Sequence, residues 1–271
     1  MSALKTLLCI PSTVLRYRGL LGHMVYREIH GRVTGSILGV GWLVLQPLLL
    51  LGMYTVVFGV FMKSRWGAQG DGIAYFALAL FPGLLVFNIF AECVNRAAGL
   101  VLQNPNYVKK VVFPLELLIV PVIAGAIVQF FIGFALWLAL VALLQGGVSW
   151  AVLLVPLYLA PFVLLIAGLC WALAAIGVYF RDLTNLVPLV TQVLMFISPV
   201  LYPISNVPSA VRPVLYLNPL TLVVEAVRGS GLQGAVELPP GYPIYVLTAV
   251  AVAWVGTKIF TGLRPGFADM V

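Results

Sequence analysis

The sequence describes an all-α integral membrane protein. Six transmembrane helices are expected, with an N-terminal interfacial amphipathic helix and short re-entrant helices between spans five and six. Three observations lead there. Between Leu117 and Phe180 run 64 residues without one Asp, Glu, Lys or Arg. A bilayer core about 30 Å thick takes roughly 20 apolar residues as helix, so this run holds two crossings, with its turn at Gln145-Gly146-Gly147-Val148-Ser149. Four more uncharged runs, Ile37–Met62, Ile73–Ala91, Leu183–Val211 and Leu238–Thr257, supply the rest. Finally, 62% of the 271 residues are hydrophobic and only 8% are charged, which leaves no stretch polar enough for a separate soluble domain.

In chain order, residues 12–32 form the interfacial helix. Arg16, His23, Arg27 and His30 gather on one side of its helical wheel, and Val14, Tyr17, Leu20, Leu21, Met24 and Val25 on the other, with Glu28 intruding. Such a helix lies in the membrane plane with its basic side toward water and headgroups. Spans follow at about 37–62, 73–102, 115–144, 150–179, 183–203 and 241–261. The fifth run carries Pro188, Pro199, Pro203, Pro208, Pro213 and Pro219, more than one plain helix tolerates. The span is therefore expected to end near Tyr202, and 204–237 to dip back as an outer re-entrant gate region surrounded by protein or a water-filled cavity, the alternative being a long outer loop.

An even number of spans puts both termini on one side. With that side cytoplasmic, Lys5, Arg16, Arg18, Arg27, Arg32, Arg96, Lys109, Lys110, Arg181, Lys258 and Arg264 lie inside. Only Lys63, Arg65, Arg212 and Arg228 lie outside. Eleven against four satisfies the positive-inside rule. The net charge of +7 is spread along membrane boundaries rather than gathered on one face, so nucleic acid is not an expected partner. Cys9, Cys93 and Cys170 have no metal or redox spacing and read as small hydrophobes. A cleavable leader is only weakly supported, since Leu7–Ile10 is a short apolar patch and Arg16, Arg18 and Arg27 follow it.

Chemistry needs groups this chain mostly lacks. It has no G-x-x-x-x-G-K-[ST] and no H-E-x-x-H, so it carries neither a P-loop nor that zinc site. His23 and His30 have no partners in ligand spacing. The middles of the spans carry no charge, which argues against an ion-driven transporter. Glu92 and Arg96, the deepest charges, are spaced i, i+4 and are expected to pair with each other. The energy source is therefore expected in another subunit. Two short inner connections stand out. Asn104-Pro105-Asn106-Tyr107-Val108-Lys109-Lys110-Val111-Val112-Phe113-Pro114 joins spans two and three, and Tyr179-Phe180-Arg181-Asp182-Leu183 joins spans four and five.

These segments carry a family resemblance. Gly39-Val40-Gly41-Trp42 with Gln46-Pro47-Leu48, then Val108-Lys109-Lys110-Val111-Val112-Phe113-Pro114, then Phe180-Arg181-Asp182-Leu183, then Leu217-Asn218-Pro219-Leu220 are similar to the permease subunits of ATP-binding-cassette polysaccharide exporters. Those are the exporters of O-antigen, capsule and teichoic acid. The resemblance runs in order from about Tyr26 to Arg264, and the Lys-Lys-x-x-Phe-Pro form resembles the O-antigen and teichoic-acid branch. Members often have Pro-Trp on span two, where this chain has Phe81-Pro82-Gly83-Leu84-Leu85-Val86-Phe87. The resemblance implies a homodimer in a bacterial inner membrane, bound to two copies of a separate P-loop ATPase subunit that holds ATP and Mg. No cofactor is expected in this chain. The implied cargo is a lipid-linked polysaccharide, on undecaprenyl pyrophosphate in many members. Two other readings stand beside it: an exporter of the same architecture for a drug, lipid or other small molecule, and a membrane-embedded glycan transferase using Glu28 or Asp182.

Three sets of residues follow as candidates. Glu28, Asn104, Tyr107, Val108, Lys109, Lys110, Arg181 and Asp182 are expected at the ATPase-coupling face, although Arg181 and Asp182 also read as a boundary salt bridge. Arg27 and Arg32 are expected to hold a pyrophosphate headgroup or, equally, to anchor on anionic lipid. Tyr54, Phe58 and Phe61 share a helix face at i, i+4 and i+7. With Tyr75, Phe87, Phe90, Phe196 and Tyr202 they are expected to line a polysaccharide path, an alternative being aromatic anchoring at the membrane interface.

Overall fold

The computed structural model describes residues 12–270 apart from 33, 36, 63–65, 67–71, 110–112 and 237, and no strand occurs among the described residues. A helical turn at 12–16 leads into α1 (Arg18–Gly31). α2 (Gly41–Tyr54) continues without a break into a π-helical segment, Thr55–Phe61. Then come α3 (Ile73–Ala97), α4 (Pro105–Lys109), α5 (Ile119–Gln145) and α6 (Val155–Tyr179). Short 3₁₀ turns, Leu115–Leu118 and Trp150–Leu154, open α5 and α6. The order closes with α7 (Leu183–Ile197), α8 (Arg212–Tyr216), α9 (Pro219–Leu232), α10 (Tyr242–Leu263) and α11 (Phe267–Met270).

Five of these stretches are long and apolar enough to cross a membrane: Gly41–Phe61, Ile73–Ala97, Leu115–Gln145, Trp150–Tyr179 and Tyr242–Met270. The stretch expected as span five is shorter than the others. α7 has 15 residues, about 22 Å of helix, less than the bilayer core. It stops because Ser198 precedes Pro199 and is extended (φ −79°, ψ 148°), the conformation the following proline ring favours. The expected turn between α5 and α6 is built by Gly146, left-handed at φ 77°, whose N–H closes onto Ala142 O. Ser149 Oγ then accepts from Ala151 N at 3.2 Å and opens the next turn.

α3 is the axis of the bundle. Of its most apolar window 72% is buried, against 11% for the α2 stretch, because α5, α6, α7 and α9 all pack on it. α6 and α10 make the most extensive helix pair. Their backbones meet at glycines: a Cβ on Gly168 would stand 2.6 Å from the Ala253 backbone, and one on Gly256 2.0 Å from Gly168 O. Small residues that let helices approach this closely are how helices without a hydrophobic driving force associate in lipid. α9 lies inside the protein against α3 and α6. Asn218 caps it, accepting from Leu220 N at 3.0 Å while its Nδ2 donates to Ser198 Oγ at 2.8 Å. This ties the Asn-Pro motif to the end of α7. Arg228 of α9 is buried and donates to Ala79 O at 2.7 Å and Pro199 O at 3.2 Å. It also pairs with Glu225 and lies over the Trp66 ring at 4.4 Å. Its fork fastens α9 to α3 and to the stretch after α7.

Candidate functional site

The chemistry collects at the end of the bundle that carries α1, α4 and α11. α1 packs on α5 through Leu21 and Met24, which are buried as its apolar side demands. Glu28, which intrudes on that side in the wheel, is explained by its partners. Arg96 donates to it twice, at 2.5 and 2.9 Å, and Arg32 once, at 3.3 Å. Arg32 also pairs with Glu92, and Arg96 lies 3.5 Å from Glu92. The expected Glu92–Arg96 pair is thus one edge of a four-residue network joining α1 to α3. Hydrogen bonds from Arg96 act first, with the charges of Arg96 and Arg32 behind them. Against partial burial, they hold the Glu28 carboxyl below the usual carboxylate range. Gly125 makes room on α5, since a Cβ there would meet Arg32 Nη2 at 2.5 Å.

This arrangement gives two of the expected residues partners inside the protein. Glu28 was expected at the ATPase-coupling face; its carboxylate accepts from Arg96 of α3 and from Arg32 at the end of its own helix. Arg32 was expected to hold a headgroup, but its terminal nitrogens bond to carboxylates. Arg27 is exposed beside them and has no ion pair among the described residues. With Glu28, Arg32, Arg96, Gln103 and Asn104 it lines a cavity of about 370 Å³.

The connection after α3 folds into α4. Asn104 Nδ2 donates to Leu100 O at 2.8 Å, and Lys109 is exposed. Tyr107 and Val108 are half-buried, the Tyr107 ring lying 5.2 Å from buried Phe113, with the Tyr17 ring 6.2 Å from Phe113 as well. Lys110, with Val111 and Val112, lies outside the described residues. Phe267 of α11 joins Tyr17, Tyr107 and Phe113 around a cavity of about 310 Å³, so the last helix braces α4. Glu116, buried at the head of the next helix, takes Arg264 at 2.7 Å. Arg181 and Asp182 are both exposed, and neither makes an ion pair among the described residues, so the boundary salt bridge between them is absent.

The expected aromatic path divides. Tyr54 and Phe58 stack at 6.1 Å, and Tyr54 Oη donates to Met195 Sδ of α7 at 3.7 Å. Phe61 departs from that face, 74% exposed. The reason is the π-helix: its hydrogen bonds join residues five apart and widen the turn, so Phe58 stays over Tyr54 four residues back while Phe61, three further on, swings off that face. Phe196 is exposed, while Tyr75 and Tyr202 are half-buried, Tyr202 Oη donating to Ile197 O at 2.8 Å. Phe87 and Phe90 are a correction. Both are buried, at 4% and 6%, in the core around α3, where other helices enclose it on several sides.

Sequence reasoning missed a polar stripe on α3. Asn88, Glu92 and Asn95 stand at i, i+4 and i+7, and Asn95 Oδ1 accepts from Thr191 Oγ1 of α7 at 2.9 Å. Facing it, Gln129 of α5 donates to Leu43 O of α2 at 2.8 Å. The carboxamides in otherwise apolar spans were the available signal.

Residues 20–232 match the family described as ABC-2 type transporter. The chain is 31% identical, over 260 residues, to a protein of Myxococcus xanthus named O-antigen export system permease protein RfbA. The likeness covers 94% of this chain and 96% of that protein.

Proposed function

The chain belongs to the ABC-2 type transporter family, and from that premise we propose that it is the membrane-spanning subunit of an ATP-driven polysaccharide exporter. Its cargo is a lipid-linked, O-antigen-like polymer on undecaprenyl pyrophosphate, moved from the cytoplasm to the outer face of a bacterial inner membrane. The observation that carries this reading is the end-to-end likeness to a permease named for O-antigen export. Two copies of the chain form the pore and bind two copies of a P-loop ATPase, where ATP and Mg²⁺ reside. The chain itself has no Walker motif.

In this reading both termini are cytoplasmic, and α7 with residues 198–203 makes a sixth crossing. α8 and α9 are the re-entrant gate, supported by the enclosure of α9 in protein. α4, Lys109, Lys110, Arg181 and Asp182 meet the ATPase, and Glu28 acts behind them by holding α1. Arg27 receives the pyrophosphate, and Arg32 joins it by exchanging a carboxylate partner. Tyr54, Phe58, Phe61, Tyr75, Phe196 and Tyr202 offer stacking faces to the passing glycan.

The test is genetic and biochemical together. A cell lacking the chain accumulates lipid-linked polymer inside and shows none at its surface. The unaltered chain restores export, and the Lys109→Glu, Lys110→Glu double variant inserts normally but restores none. Surface polymer that persists without the chain overturns the polysaccharide reading. Normal export by the double variant removes the lysines from coupling.

A further inference from the structure

A cavity of about 470 Å³ lies between α2, α3 and α5, a volume within the range of small-ligand sites. Its lining is unusual for a position among membrane helices: Trp42 and Gln46 from α2, Asn88 and Asn95 from α3, and Gln129 from α5. Arg32, Glu92 and Arg96, three members of the four-residue ionic network, line one end of it. Asn88 lies nine residues before the end of α3, about 13 Å deeper than that end.

Polar side chains at such depth are unfavourable unless they find partners. Only part of this set does so within the protein. Gln129 donates to Leu43 O and Asn95 accepts from Thr191, whereas the Gln46 and Asn88 side chains make no hydrogen bond among the described residues. Arg32 Nε, on the same wall, is a buried donor without a partner.

A carboxamide both donates and accepts, as does a sugar hydroxyl, and four of them around one space match a hydroxylated ring better than an ion or an apolar molecule. Trp42, 41% exposed, offers a face for the ring's C–H side. Arg32 supplies the donor that a phosphate oxygen next to such a ring would take.

We propose that this cavity binds the phosphate-linked sugar of a glycolipid headgroup, with Gln46, Asn88, Asn95 and Gln129 holding its hydroxyls and Trp42 its apolar face. The inference rests on the polysaccharide-export reading and adds to it a site, inside each protomer, that recognises the sugar nearest the lipid.

The complete permease–ATPase complex in phosphatidylethanolamine nanodiscs provides the test. Two probes are titrated: undecaprenyl diphosphate bearing one N-acetylglucosamine, and undecaprenyl diphosphate alone. Losing hydrogen bonds to the sugar weakens binding of the first probe roughly tenfold in Gln46→Leu and in Asn88→Leu. Binding of the sugar-free lipid stays within about twofold. If Asn88→Leu fails to assemble with the ATPase, Gln46→Leu carries the test, because Gln46 is exposed and its side chain makes no hydrogen bond among the described residues.

Equal weakening of both probes, or of neither, overturns the sugar site and leaves the export reading standing. Displacement of the glycolipid by phosphatidylglycerol at equal concentration also overturns it and makes the cavity a general lipid-headgroup site. Failure of the unaltered complex to bind either undecaprenyl lipid overturns both the site and the export reading.

Discussion

Glu28 shows how one side chain gives an amphipathic helix its docking partner. In the sequence it is a flaw in the apolar side of α1; in the structure it is the group that Arg96 and Arg32 grip. Its lowered pKa carries a sign. A carboxyl whose folded-state value lies below its unfolded one stabilises fully above the ordinary range, about 4.3 for Glu, and loses that contribution as pH falls through the lowered value. Glu28→Gln is therefore expected to cost about 1 kcal/mol at pH 7, a gap that narrows as pH falls below the ordinary Glu range and closes through the lowered value. Thermal melting of both proteins across that range checks it, and a gap constant with pH would sink the assignment. The network was only half legible beforehand. Glu92 and Arg96 show their i, i+4 relation in the sequence, but Glu28 and Arg32 reach them across 60 and more residues, a distance that periodicity does not reveal.

Helices followed from the sequence where composition alone decides, and diverged where a local backbone choice decides. The charge-free 64 residues could only be two long helices joined at their glycines, and α5 and α6 are those helices. The sequence also marks the trouble after Pro199, but not that α7 stops at Ile197. Nothing in Thr55–Phe61 announces a π-helix, and that one choice turns Phe61 away from Tyr54 and Phe58. Phe87 and Phe90 diverged for another reason: an aromatic on a span reads the same whether it faces a pore or a neighbouring helix. The α6–α10 contact gives a sharper expectation. Gly256→Val puts a Cβ 2.0 Å from Gly168 O, so the helices must separate, at about 1–3 kcal/mol or more. Gly262→Ala, on the same helix with nothing within 4 Å of its Cβ, is expected to be neutral or to stabilise by about 0.5–1 kcal/mol. The two variants should melt far apart in detergent; equal melting temperatures would mean that close glycine contact does not hold this pair.

A single protomer is unevenly built. α3 is enclosed, while α2 and α7 present long apolar faces outward, with Leu49, Met53, Phe61, Leu189, Val193 and Phe196 all exposed. Either lipid or a second copy of the chain covers them, and the two coverings differ in what reaches the aromatic side chains. Tyr54 of α2 touches Met195 of α7, so the two exposed helices are neighbours and form one surface. In the proposed dimer that surface meets its counterpart around a wet path. Single cysteines at Phe61 and Phe196 are then expected to react with membrane-impermeant, water-soluble thiol reagents when the exporter is turning over. In the resting complex they are expected to cross-link between copies. Glycan loading should protect both positions. Leu247 of α10, exposed on a helix whose other side packs against α6, is the lipid-facing control and should react only with reagents that partition into the bilayer. If cysteines at 61 and 196 behave as the one at 247 does, the α2–α7 surface faces lipid. The Tyr54–Phe58 stack would then be an ordinary interhelical contact, and the export path would have to be sought along another face of the bundle.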